Sequence, residues 1–119
     1  MTVQIYGTQK SQDSKKALRF FKERATQVQF FDLKTHYMTQ GELARFIQKF
    51  GLQSLINSKA KAYQEAGLEY LKVPDEQMIE KLIEDPDLMI QPLVRSGSDL
   101  SVGWNEAFWK NWYKNLKST

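Results

Sequence analysis

Residues 3–21 read VQIYGTQKSQDSKKALRFF, and this stretch decides the fold. The β-branched and aromatic residues over 3–6 predict a short strand, which runs into a loop over 7–10. A helix is predicted to begin near Ser11, because apolar positions then recur at helical spacing. These positions are Ala17, Leu18 and Phe21.

The start of this helix is the position where chemistry is expected. Thioredoxin-type folds place a C-x-x-C redox motif at such a junction, because exposed N–H groups and the helix dipole lower the pKa of a thiol there. The corresponding positions in this chain are Ser11 and Ser14. The spacing of the motif is therefore kept, and its sulfur atoms are absent.

The middle of the chain alternates between one more strand and several helices. Residues 28–31 predict a strand, and Thr39 with Glu42 forms the pattern of a capping box. The helix that follows is expected to end at Gly51. Shorter helical pieces are predicted over 52–56 and 60–66, and a further helix over 74–85.

The last third predicts strands before a final helix. Residues 88–95 read as a short apolar strand, a proline and a second strand, and a turn over 96–99 leads to a strand over 100–103. A helix begins near Asn105, and residues 114–119 are expected to fray. The element order predicts an α/β thioredoxin-like sandwich, a single domain over 1–119 with a small mixed sheet and a helical insertion after the second strand.

Composition excludes several classes of site. The chain has 119 residues, a net charge of +3, no cysteine and a single histidine, His36. Without cysteine there is no disulfide, zinc–thiolate site or thiol catalysis, and we expect no metal and no cofactor. No signal peptide and no apolar run of membrane-spanning length is evident, so we expect a cytoplasmic protein with no membrane partner.

Two clusters of side chains suggest contact surfaces. Basic residues concentrate on and around the first helix: Lys10, Lys15, Lys16, Arg19, Lys22 and Arg24. A nucleic-acid or acidic-protein surface is one interpretation; the favoured one is a solvated helix face, and no direct nucleic-acid binding is expected. Near the C-terminus, a stacking platform for bases is one interpretation of the aromatic residues Trp104, Phe108, Trp109, Trp112 and Tyr113. Helical spacing instead predicts that Phe108 and Trp112 are core residues and that Trp109 and Tyr113 are partly exposed, which suits a contact surface.

Several motifs, in order along the chain, resemble the arsenate reductase (ArsC) family, which includes the Spx-type transcription regulators. The opening motif is Tyr6-Gly7, Ser11-x-x-Ser14 and Lys15-Lys16-Ala17. The middle motif runs from Gly51 to Tyr63. The late motif is Ile90-Gln91-Pro92-Leu93, followed by Val102-Gly103-Trp104-Asn105-Glu106.

The resemblance implies a set of site residues. The family's nucleophilic cysteine matches Ser11, and the second position of its motif matches Ser14. Its oxyanion-binding arginines match Lys59, which keeps the charge, and Gln91, which loses it. Pro92 resembles the family's cis-proline, and Arg95 is not expected to replace the lost arginine because of strand alternation. Lys10, Ser11, Lys59 and Gln91 are thus candidates for binding an oxyanion or glutathione without turnover, although Ser11 as a simple helix N-cap is the favoured interpretation.

Two classes of function follow from the resemblance. One is a redox-inactive binding or regulatory module, and the other is an arsenate reductase-like, glutathione-linked oxidoreductase; Ser11 favours the first. In Spx-type regulators the working surface contacts the C-terminal domain of the RNA polymerase α subunit. Gly51 and Lys59 match that surface, so they are candidate partner contacts, although a helix C-cap also explains Gly51.

Overall fold

The computed structural model describes residues 2–24 and 26–117, with side chains as far as Trp112. Ala25 lies outside the described part, as does the side chain of Tyr113, for which partial exposure is predicted. Strands and helices follow the predicted order, except that no strand forms over 88–90. The elements are β1 (Thr2–Gly7), α1 (Gln12–Glu23), β2 (Gln27–Asp32), α2 (Gln40–Phe50), α3 (Lys61–Glu65), α4 (Asp75–Glu84), β3 (Leu93–Ser96), β4 (Asp99–Val102) and α5 (Glu106–Lys117), with 3-10 turns at Leu52–Leu55, Leu68–Tyr70 and Pro86–Leu88.

The chain divides into two compact units. One contains Met1–Asp32 and Gln91–Thr119, and the other contains Leu33–Ile90. The first unit carries the mixed sheet, and the second is the helical insertion. The α/β thioredoxin-like fold class is confirmed, and the single domain over 1–119 stays a prediction.

The sheet of the first unit has the order β2-β1-β3-β4. β1 pairs in parallel with β2 and antiparallel with β3, which in turn pairs antiparallel with β4. The predicted hairpin is confirmed, because Ser96 pairs with Asp99 and Gly97 adopts φ 61 in the tight turn. β1 is therefore an interior strand of the sheet, and a short loop connects its last residue, Gly7, to the start of α1.

The core of the first unit forms between β1, β3, α1 and α5. Its members are fully or almost fully buried: Val3, Ile5, Ala17, Phe20, Phe21, Val94, Trp109 and Trp112. Burial of one large apolar side chain contributes about 1.5–3 kcal/mol, so this cluster is the main stabilising feature of the unit. It also fixes the position of α1 against β1.

The second unit is built from short helices with their own buried residues. The capping box of α2 is confirmed: the Thr39 hydroxyl accepts from the Glu42 N–H at 3.1 Å, and the Glu42 carboxylate accepts from the Thr39 N–H at 2.9 Å. Leu43 and Phe46 of α2 are buried. Leu82 of α4 is also buried.

Three predictions were wrong. Residues 88–90 are not a strand: Pro86–Leu88 is a 3-10 turn, and Met89 makes only an isolated bridge with Ile56. Proline at the first turn position and Asp85, which accepts from the Asp87 N–H, favour the turn over extension. Trp109 is not partly exposed but fully buried. α5 continues through Lys117, where fraying from 114 is predicted, and residues 118–119 lie outside the described part.

Candidate functional site

Ser11 lies immediately before α1 and caps it. Its side-chain oxygen accepts a hydrogen bond from the Ser14 N–H at 3.1 Å and another from the Ser14 hydroxyl at 2.9 Å. The Ser11 N–H donates to the Thr8 carbonyl at 3.1 Å, which closes the loop between β1 and α1. The favoured interpretation of Ser11 as an N-cap is therefore confirmed.

Ser14 is packed tightly below this cap. It is fully buried, and a Cβ built on Gly7 would overlap its side chain, with the Ser14 Cβ only 2.6 Å away. Any larger residue at Gly7 would displace Ser14 or β1. The end of β1 and the first turn of α1 therefore approach each other as closely as the glycine allows.

Gln91 ties the same loop from the other side. Its side-chain oxygen accepts from the Thr8 N–H at 2.9 Å and from the Thr8 hydroxyl at 3.1 Å. A backbone N–H can only donate, so the oxygen of the amide and not its nitrogen lies towards Thr8. Thr8 is almost fully buried, and Gln91 thus satisfies a donor that would otherwise be costly to bury.

Pro92 follows Gln91 through a cis peptide bond. The Pro92 carbonyl accepts a hydrogen bond from the Gly103 N–H at 2.8 Å, and Gly103 adopts φ 75, a region that favours glycine. Residues of the late motif are thus joined by their backbones where β3 begins and β4 ends. Arg95 donates to the Gly97 carbonyl at 2.9 Å and so serves the hairpin turn.

The remaining candidate residues are exposed. Lys10 lies in the loop before α1, and Lys59 and Gly51 belong to the unit Leu33–Ile90. The structure therefore brings Ser11, Ser14 and Gln91 together around Thr8. It gives no side-chain hydrogen bond or ion pair between Lys10 and these described residues, and Lys59 belongs to the other unit. Thr8 was missed by sequence reasoning, since a threonine in a loop carries no signal of the hydrogen bond that it makes with a residue 83 positions away.

The chemistry that this cluster can perform is limited by its atoms. Both serine hydroxyls are engaged with each other, and the Gln91 oxygen presents a partial negative charge to the loop. Within the described residues no group of three or more His, Asp or Glu could hold a metal ion. No helix over 2–24 or 26–117 has both the length and the apolar character of a bilayer span.

The fold and the cluster define the class of protein: a thioredoxin-like α/β protein in which serines occupy the redox positions at the start of the first helix. The chain belongs to the ArsC family, whose model matches residues 6–112. It is similar to the global transcriptional regulator Spx 2 of Oceanobacillus iheyensis, with 26% identity over 108 residues that cover 89% of this chain and 79% of that protein.

Solved structures show the same architecture. An arsenate reductase from Vibrio cholerae superimposes with a TM-score of 0.74 at 24% identity, covering 87% of this chain and 90% of that one. A protein from Staphylococcus aureus COL gives a TM-score of 0.72 at 25% identity, covering 92% of this chain and 96% of that one. The predicted resemblance to the ArsC family and to Spx-type proteins is therefore confirmed.

Proposed function

We propose that this chain is a redox-inactive member of the ArsC family that acts as a binding or regulatory module. The observation that carries the proposal is the Ser11 hydroxyl, which caps α1 and is hydrogen-bonded to the Ser14 hydroxyl. A nucleophilic hydroxyl needs an adjacent base, and none contacts Ser11 within the described residues. A serine also cannot pass through the disulfide or mixed disulfide that thiol redox chemistry requires.

The C-terminal domain of the RNA polymerase α subunit is the partner we propose. Similarity to a regulator named Spx supports it, as do two exposed residues that match the Spx contact surface, Gly51 and Lys59. Gly51 adopts φ 85 and ψ 149, and a Cβ there would meet no atom within 4 Å. A partner could therefore approach the backbone at Gly51 more closely than any side chain would permit.

Titration of the isotope-labelled chain with the purified α C-terminal domain tests this proposal. We expect saturable amide shifts concentrated over residues 50–60. Gly51→Ala carries the backbone strain alone, and Gly51→Arg adds bulk to it. Loss of binding in the arginine variant and its retention in the alanine variant would support a direct contact, whereas equal loss in both would assign the effect to strain.

A charge reversal provides a second, unstrained test. Lys59→Glu should weaken the complex, because it reverses the charge of an exposed side chain in the proposed surface. Lys81→Glu, an exposed lysine of α4 in the same unit, is the matched control and should leave the affinity unchanged. No shift in the wild-type chain at millimolar domain concentration would overturn the proposed partner.

Oxyanion or glutathione binding without turnover, at Lys10, Ser11, Lys59 and Gln91, stays a separate prediction. It requires amide shifts over residues 8–14 on addition of arsenate, phosphate or glutathione. The capped first turn and the Gln91 oxygen disfavour an anion there. Absence of these shifts would remove the prediction without affecting the proposed partner.

A further inference from the structure

A cavity of about 480 Å³ lies within the unit Leu33–Ile90. It is formed by the 3-10 turn at Leu68–Tyr70, the segment that follows it and the first part of α4. Six of the nine described residues that line it are apolar, among them Leu68, Leu71 and Met78, and polar atoms make up about half of the surface that faces it. The size falls within the range of about 300–1,000 Å³ that is typical of small-molecule sites.

Three polar side chains also line this cavity: Gln53, Tyr63 and Lys72. None of them makes a side-chain hydrogen bond or an ion pair among the described residues, whereas Lys34 and Lys61 of the same unit pair with Asp87 and Glu65. Apolar side chains combined with a few polar groups that can bind a ligand are the composition that ligand sites have in common.

Leu71 is a further sign of an incomplete surface. Its side chain is 59% exposed although it lines the cavity, so a ligand there would remove apolar area from water. Lys72 contributes a full positive charge next to it in sequence. The apolar lining and the charge of Lys72 would be matched together by a molecule with an apolar body and a single negative group.

We propose that this cavity binds a small amphipathic monocarboxylate, with its hydrocarbon body against Leu68 and Leu71 and its carboxylate paired with Lys72. The Tyr63 hydroxyl and the Gln53 amide also line the cavity and offer hydrogen-bond donors to a bound ligand. A carboxylate suits the site better than a phosphate, because Lys72 is the one cationic residue among the described side chains that line it. The proposal can be tested separately from the proposed RNA polymerase contact, because Leu71 and Lys72 line the cavity and lie outside residues 50–60, whereas Gly51 and Lys59 do not line it.

The test uses the full isotope-labelled chain with three probes: octanoate, 3-phenylpropionate and the uncharged 1-octanol. We expect saturable amide shifts at residues 53–56 and 63–78 with both acids and weaker binding of the alcohol. Lys72→Gln should weaken octanoate binding about two- to fivefold, the range for an exposed ion pair, and leave 1-octanol unaffected. Lys81→Gln, an exposed lysine outside the cavity, should change neither.

A second pair of variants tests the apolar lining. Leu71→Ser should weaken octanoate and 1-octanol alike, because it removes apolar contact and leaves the charge. Tyr70→Ser is the matched control, since Tyr70 is 85% exposed and does not line the cavity. Shifts confined to residues outside 53–56 and 63–78, no saturable shift with either acid, or an octanoate affinity that does not respond to Lys72→Gln would each overturn the proposal.

Discussion

At the scale of single residues, Gln91 shows most clearly how this site differs from an oxyanion-binding site. The resemblance to the ArsC family places an arginine at this position, and a guanidinium has donors but no acceptor. Glutamine supplies an acceptor instead, and the structure shows it bound to both donors of the buried Thr8. The resemblance implies that this position binds an anion in an arsenate reductase. In this chain its side chain instead binds the loop between β1 and α1 through Thr8.

Replacement of Gln91 by leucine should therefore destabilise the protein. Gln91→Leu leaves the Thr8 N–H buried without its acceptor, so we expect the free energy of unfolding in urea to fall by about 1–3 kcal/mol. Gln91→Arg should cost a similar amount for the same reason, and Gln91→Glu should cost less. Gln48→Leu, an exposed glutamine of α2, is the control and should stay within about 0.5 kcal/mol of the wild type. A neutral Gln91→Leu would contradict the role assigned to this side chain.

At the scale of elements, the two N-caps allow a matched comparison. Ser11 caps α1 and Thr39 caps α2, and each side chain accepts from a backbone N–H at 3.1 Å. Ser11 also accepts from the Ser14 hydroxyl, which is fully buried. Loss of the first cap therefore leaves an additional buried hydroxyl without its partner.

We expect Ser11→Ala to cost more than Thr39→Ala. Loss of an N-cap typically costs about 1 kcal/mol, and the stranded Ser14 hydroxyl adds a further penalty of about 1 kcal/mol or more. Urea unfolding of both variants provides the comparison, and Ser11→Asp, which keeps a capping oxygen, should recover part of the loss. Equal costs for the two alanine variants would show that the contact between the serine hydroxyls contributes nothing.

Local chemistry explains which elements could be predicted from the sequence. The capping box at Thr39 and the hairpin turn at Gly97 are written in adjacent residues, and both predictions are confirmed. The prediction of a strand over 88–90 was wrong because a short apolar run has no periodicity that would separate a strand from a turn or helix, and Pro86 favours a turn. Trp109 was predicted to be partly exposed because aromatic residues cover several faces of the last helix, and periodicity does not select the face that packs on the sheet.

The burial of Trp109 has an energetic consequence that can be measured. Its indole N–H donates to the Ser101 hydroxyl of β4 at 2.8 Å, and both residues are buried. Ser101→Ala should reduce the free energy of unfolding by about 1–3 kcal/mol, because the buried N–H loses its acceptor. Ser98→Ala, in the exposed hairpin turn, serves as the control. Trp112→Phe should lose only packing, since the Trp112 indole N–H has no partner among the described residues.

At the scale of the whole molecule, sequence order and spatial order differ. The first unit is assembled from both ends of the chain, with the segment Leu33–Ile90 between them. The order β2-β1-β3-β4 and the Thr8–Gln91 bond depend on this closure, so neither could be derived from local periodicity. The family resemblance predicted the fold class because its motifs come from both ends of the chain. It could not predict that Gln91 would bind Thr8 instead of an anion.

The absence of family chemistry is the prediction that belongs to the molecule as a whole. The chain has no cysteine, and the Ser11 hydroxyl caps α1. We therefore expect no reduction of arsenate, whether electrons are supplied by glutathione with glutaredoxin or by thioredoxin. Arsenite formation by the wild-type chain should equal that of a boiled-protein control, while a cysteine-containing ArsC enzyme in the same assay establishes its sensitivity. Ser11→Cys places a thiol at the start of α1, where iodoacetamide should alkylate it. Arsenite above the boiled control with the wild-type chain would contradict the proposed loss of redox function, because the electrons would then pass through a route that needs no thiol of this protein.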